Sequence, residues 1–218
     1  MSTRAAGLIF VIIIAAIVVT AAVTWSRLPD PMLAHWNADG VADGTMPRFW
    51  GVALFPLIIA GTAGIWWFLP RLDPLRANLE AFRRGWNVVF VALAAFFAYL
   101  FGVVIAVNLG TRFNVTMLVL PAAAVLLYVM GMVLPMSKRN WFFGIRTPWT
   151  LSSDRVWDRT HWIGGLLFKA AAAVSLVASF FFTGTTAVIV LLVSILGAAL
   201  GAIVYSWLLW RRLGEPRA

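Results

Sequence analysis

Six long apolar stretches separated by short polar segments govern what this chain can become. They run over residues 7–25, 50–69, 86–109, 115–134, 162–182 and 186–210. About 20 mostly apolar residues in a helix cross the ~30 Å hydrocarbon core of a bilayer. Each stretch therefore reads as a transmembrane helix, and the fold class is an all-α polytopic membrane bundle of about six spans. Composition agrees. Hydrophobic residues make up 62% of the chain and charged ones 11%, and the mean hydropathy is +0.92, far from the values of soluble domains. Most of the stretches begin or end on Trp beside a polar loop, where an amphipathic ring anchors at the headgroup level. The first stretch is too long for the apolar region of a signal peptide and is read as a span.

Orientation follows from Lys and Arg, because basic loops resist translocation. Thirteen fall on one side: Arg4; Arg71, Arg76, Arg83 and Arg84; Lys138, Arg139, Arg146, Arg155 and Arg159; Arg211, Arg212 and Arg217. The other side holds Arg27, Arg48 and Arg112. Both termini and the segments 70–85 and 135–161 are expected in the cytoplasm, and 26–49 outside. The net charge of +9 is thus explained by topology, and no direct nucleic-acid binding is expected. The absence of Cys removes disulfides, thiolate metal sites and thiol nucleophiles.

Organisation follows the same divisions. Residues 1–69 hold two spans and the outer loop, 70–85 a cytoplasmic loop, 86–134 two more spans, and 135–218 the inner loop 135–161 with the last two. Pro56 and Pro121 remove backbone donors within spans and predict local bends. Gly197 and Gly201, with Ala198, Ala199 and Ala202, make a small-residue face for helix packing. Lys169 lies within the fifth span with no acidic residue in any span to pair with it. It either snorkels to the interface or lines a polar cavity.

The outer loop places His35, Asn37, Asp39 and Asp43 around Gly40 and Gly44, a spacing near that of a calcium loop. His35 and Met46 occupy the positions of that loop's strongest ligands, so turn formation by side-chain-to-backbone bonds is the simpler reading, and metal binding stays open. In the inner loop, Trp141, Phe142 and Phe143 among basic residues suggest a segment dipping into the acyl boundary. Gly144 and Thr147-Pro148 break it. A helix is expected after Ser152 as N-cap, carrying Trp157 and His161 on one face, with Asp158 in reach of Arg155 and His161, and feeding the fifth span. No HExxH, GxSxG or nucleotide-binding glycine pattern is present, and no resident cofactor or enzymatic activity is expected.

The run from Asn140 through Gly144-Ile145-Arg146-Thr147-Pro148-Trp149-Thr150 to Trp157 and His161, followed by Gly164-Gly165, resembles the signature of the SdpI immunity-protein family. The run 28–43 resembles the domain of unknown function that often precedes it. The resemblance implies a multi-pass cell-membrane protein that protects its cell from a secreted toxic or membrane-active peptide, with signalling through a repressor or other regulator at the cytoplasmic face. It also implies that Asn140, Gly144, Arg146, Thr147, Pro148, Thr150, Trp157 and His161 build a ligand- or partner-binding surface, while His35, Asn37, Gly40 and Asp43 face an outside ligand. A peptide or lipid transporter, motivated by Lys169 and the span prolines, is the alternative. An intramembrane enzyme using His35 or His161 is the third reading.

Overall fold

The computed structural model describes residues 1–214, and Arg217, assigned above to the basic side, lies outside the described residues. In chain order the elements are α1 (Thr3–Thr24), β1 (Met32–Trp36), β2 (Ala42–Met46), α2 (Arg48–Leu72), α3 (Arg76–Ala81), α4 (Arg83–Asn108), α5 (Val115–Val133), α6 (Pro148–Ser152), α7 (Asp154–Phe181) and α8 (Gly184–Leu213). Six of these helices, α1, α2, α4, α5, α7 and α8, are long and apolar enough to cross a membrane. The chain is a multi-pass membrane protein, as the six apolar stretches required.

Local chemistry sets the helix ends. Ser2 accepts from the Ala5 amide at the start of α1, Asn114 from Met117 at the start of α5, and Ser153 from Val156 at the start of α7. Each satisfies one of the amides that a helix N-terminus leaves unpaired. The cap of α7 is Ser153, not Ser152. Ser152 closes α6, whereas Ser153 is extended (φ −142°) and aims its hydroxyl back at the helix. α7 then runs without a break into the fifth span, as expected. α2 continues through Pro56 and α5 through Pro121.

The spans pack as two groups of three. α4 lies against α1 and α2, α7 lies against α5 and α8, and the α4–α5 contact joins the groups. The first group is centred on bulky side chains, among them Phe10, Ile59, Trp66, Trp86 and Phe101. The second is centred on small ones, Ala171, Ala172 and Ala198 around Leu127, so its helices approach more closely. A close approach lies between Gly131 on α5 and Gly165 on α7. A Cβ on Gly165 would lie 2.7 Å from the Gly131 carbonyl oxygen, and one on Gly131 would lie 2.8 Å from the Lys169 backbone nitrogen. On α8 the packing face is displaced by one residue from the glycines. Ala198 and Ala202 are buried, whereas Gly197 faces open space.

The bundle is not purely helical. Residues 32–46 form a two-stranded antiparallel hairpin with an irregular register near His35. Two short strands gain stability only by packing on something larger, and Met32 is fully buried against Gly51 of α2. The loops at the other end, residues 73–82 and 137–153, fold together into a cap.

Candidate functional site

At the hairpin end, Arg48 fixes the base. Its guanidinium donates to the carbonyls of Trp25 (3.2 Å) and Leu28 (3.3 Å), and its amide donates to Asp30 Oδ1 (3.1 Å). From that base the hairpin reaches across both helix groups. Asn108, the last residue of α4, accepts from the Leu33 amide (2.8 Å) and donates to the Leu33 carbonyl (3.0 Å), as a neighbouring strand would. At the tip, Asn114 Nδ2 donates to the Asp39 carbonyl (2.8 Å) and Thr116 donates to the Asn37 carbonyl (3.4 Å). Asp39 also lies against Gly184, the first residue of α8. The hairpin is a strap from one group to the other.

Beneath the strap is a cavity of about 550 Å³, lined by residues 34–38, by Val115, Thr116, Val119 and Leu120 of α5, and by Val188 of α8. Pockets of this size take small ligands or short peptide segments. The four hairpin residues singled out above divide around it. His35 and Asn37 line the cavity, whereas Gly40 and Asp43 do not. Asn37 Oδ1 accepts from the amides of Asp39 and Val41 (both 3.0 Å), an Asx-type turn that lets Gly40 adopt φ +77°. His35 Nδ1 and Asp43 Oδ1 meet at 2.5 Å across the strands. The polar residues of this loop are thus engaged in shaping the turn, and no cluster of three metal-ligating residues occurs among the described residues.

At the cap end, the signature residues come together, and most are interior. Asn140 is fully buried; its Oδ1 accepts from Phe142 (2.9 Å) and Phe143 (2.7 Å), and its Nδ2 donates to Lys138 (2.8 Å) and Phe143 (3.0 Å) carbonyls. One side chain thereby replaces the secondary structure this turn lacks. Thr147 and Thr150 form a reciprocal capping box around α6, with Pro148 at its first position. Thr150 Oγ1 also donates to the Ile145 carbonyl (2.8 Å). Trp157 and His161 are fully buried and stacked, with ring centroids 4.0 Å apart. Trp157 Nε1 donates to Ser137 O (3.1 Å), and the imidazole bridges Trp157 O (2.8 Å) and the Ile145 amide (2.9 Å). Gly144 has φ +114°, and a Cβ there would lie 2.2 Å from His161 Nε2. Of the eight residues, Arg146 and Pro148 remain exposed.

Two local expectations need correction. Trp141 is exposed and Phe142 partly so, but Phe143 is buried and stacked on Phe82 (5.5 Å), because Asn140 draws the turn inward. Asp158 pairs with Lys138 (3.6 Å) rather than with Arg155 or His161, since both imidazole nitrogens already bond elsewhere. The second loop of the cap was not singled out from sequence. Asp73, 3% exposed, accepts from Leu75 (2.6 Å) and from Trp141 (2.9 Å), and Asn78 donates to the Arg139 carbonyl (2.8 Å). Arg139 in turn pairs with Asp154 at the start of α7 (2.9 Å). Lys169 lays its stem across Gly131 at the α5–α7 crossing.

The 137–153 loop of this cap, with α7 and most of α8, falls within a match to a recognised protein family. Residues 137–206 match the SdpI/YfhL protein family. Residues 11–60, from α1 through the hairpin into α2, match a domain of unknown function, DUF1648. The SdpI resemblance of the signature loop, and the second resemblance on its N-terminal side, are both borne out. The chain is also 24% identical over 111 residues to the immunity protein SdpI of Bacillus subtilis (strain 168). That match covers 51% of this chain and spans about half, 53%, of the relative. No solved structure matches.

Proposed function

We propose that this protein is a membrane immunity protein, one that protects its cell from a secreted toxic or membrane-active peptide met at the hairpin end. The observation that carries this reading is the cavity under the strap, in a chain whose relative is an immunity protein. Its walls are the apolar faces of α5 and α8, and its rim is the polar strand end at His35 and Asn37. An amphipathic peptide segment has the same division. The hairpin end carries few basic residues and the cap many, so the positive-inside rule supports an outward strap and a cytoplasmic cap. A peptide wedged under the strap would change the distance between the two helix groups, and the cap joins the same groups at the other end. That geometry supports a relay to a cytoplasmic regulator through the exposed basic surface of the cap. The reading is non-catalytic, in keeping with an imidazole at His161 whose two nitrogens are both committed to backbone groups.

The test is survival of sensitive bacteria expressing this chain under a panel of membrane-active peptides. Wild type is expected to protect against at least one of them. A Val119→Trp variant, which fills the cavity, is expected to lose that protection at equal membrane abundance. No protection from any peptide, or full protection by the filled variant, overturns the reading.

A further inference from the structure

A second cavity, of about 330 Å³, opens at the cap end between the signature loop and the last two spans. Its lining has two chemistries. Gly144, Ile145, Arg146 and Thr147 form a polar edge, and Phe168 of α7 with Ala199 and Ile203 of α8 form an apolar wall. Ile203 is 38% exposed on the outward face of α8, so the wall continues onto the surface that meets acyl chains.

Arg146 is the charged group at this edge. One of its guanidinium nitrogens donates to the Trp141 carbonyl (2.5 Å), which holds the side chain in place. No carboxylate pairs with it among the described residues. Lys138 and Arg139 in the same cap each have an acidic partner, whereas Arg146, like Arg155 and Arg159, has none among the described residues; what distinguishes Arg146 is its place on the cavity edge. A planar guanidinium with free donors matches phosphate oxygens in charge and geometry. About two turns beyond Ile203, α8 ends in Arg211 and Arg212, with Arg211 lying over the Trp207 ring at 4.9 Å. Trp149 donates to Ser206 beside it. Trp and Arg at a helix end mark headgroup depth.

A molecule that carries an anion and an apolar chain together would match both parts of this lining. We infer that the cavity binds one anionic phospholipid, with its phosphate on Arg146 and an acyl chain along Phe168, Ala199 and Ile203. Basic pockets between spans suit such headgroups because the anion is held where water is partly excluded. The lipid then becomes part of the α7–α8 seam, and it does so whatever ligand the hairpin end takes.

The full-length protein in neutral detergent tests this by thermal unfolding with added phosphatidylglycerol, phosphatidylcholine or inorganic phosphate. Phosphatidylglycerol is expected to raise Tm by several degrees for wild type and for Arg155→Gln, an exposed arginine outside the cavity. Arg146→Gln is expected to lose that rise. Ile203→Trp, which fills the apolar wall and leaves Arg146 intact, is expected to lose it as well. An equal rise with phosphatidylcholine, an undiminished rise in either cavity variant, or full reproduction by inorganic phosphate would overturn the inference.

Discussion

The Ile145 amide donates to Nε2 of His161 across 2.9 Å, and that bond fixes the hydrogen on the other ring nitrogen. Nε2 must be an acceptor, so Nδ1 carries the hydrogen and donates to Trp157 O at 2.8 Å. The approach of the loop to the ring is so close that no side chain fits at residue 144. Gly144→Ala is expected to destabilise the protein by at least the ~1–3 kcal/mol of a non-glycine residue held at positive φ. The added methyl, 2.2 Å from Nε2, also displaces the ring. A fall in Tm, together with faster proteolysis confined to 137–153, is the expected readout; an unchanged Tm would contradict this packing.

His161→Ala separates the ring's two roles. It leaves the part-buried Ile145 amide without its acceptor, at a cost below the ~1–3 kcal/mol of a fully buried donor. It also removes the stacking surface from Trp157. His161→Gln supplies an amide oxygen and is expected to recover part of the loss. Equal Tm for the two variants would show that the bond to Ile145 contributes nothing.

Much of this arrangement was legible in the sequence, and the limits have a physical pattern. Apolarity is a property of each residue taken alone, so five of the six spans could be located within a few residues, and the fifth was found although its helix starts earlier, at Asp154. Short-range devices were also readable: the Thr147-Pro148 break, the shared face of Trp157 and His161, and turn formation by side-chain-to-backbone bonds in the outer loop. What escaped are partners brought together by folding. Asp73 and Trp141 are 68 residues apart, and Leu33 and Asn108 are 75 apart. Nothing local distinguishes Asn108 from any polar residue that closes a span. The signature itself was recognised while the burial of its members was not, because a repeated pattern of polar residues reads the same whether they bind a partner or bind one another.

The strap gives a second line of test. Asn108→Ala removes both bonds to Leu33 and is expected to raise hydrogen exchange in 32–46 while leaving α4 protected. Gly184→Ala pushes a Cβ to 2.1 Å from Asp39 Oδ1 and is expected to loosen the same segment from the far side. Loosening of the hairpin by only one of the two variants would mean that it rests on one helix group and does not bridge them.

At the α5–α7 crossing, Gly165→Val is expected to abolish correct folding or to lower Tm by tens of degrees. The new side chain meets Gly131 O at 2.7 Å and Pro135 Cγ at 2.6 Å, and neither wall is the end of a flexible side chain. Gly197→Ala and Gly102→Ala meet nothing within 4 Å and are expected to be neutral or mildly stabilising, as alanine favours a helix over glycine. A comparable loss in all three variants would point to general sensitivity of the spans rather than to this contact.

Orientation is testable because the chain has no cysteine, so any single introduced thiol reports its own position. Val41, 60% exposed near the hairpin tip, and Arg155, exposed on the first turn of α7, mark the two ends. Six spans would place both termini on one side, and the thirteen basic residues assigned to that side from sequence would oppose its translocation. Val41→Cys in whole cells with a permeable outer envelope is therefore expected to react with a membrane-impermeant maleimide. Arg155→Cys is expected to react only after the cell membrane is broken. The opposite labelling order would put the cap outside. A toxin site under the strap would then face the cytoplasm, and the immunity reading would fail with the topology that supports it.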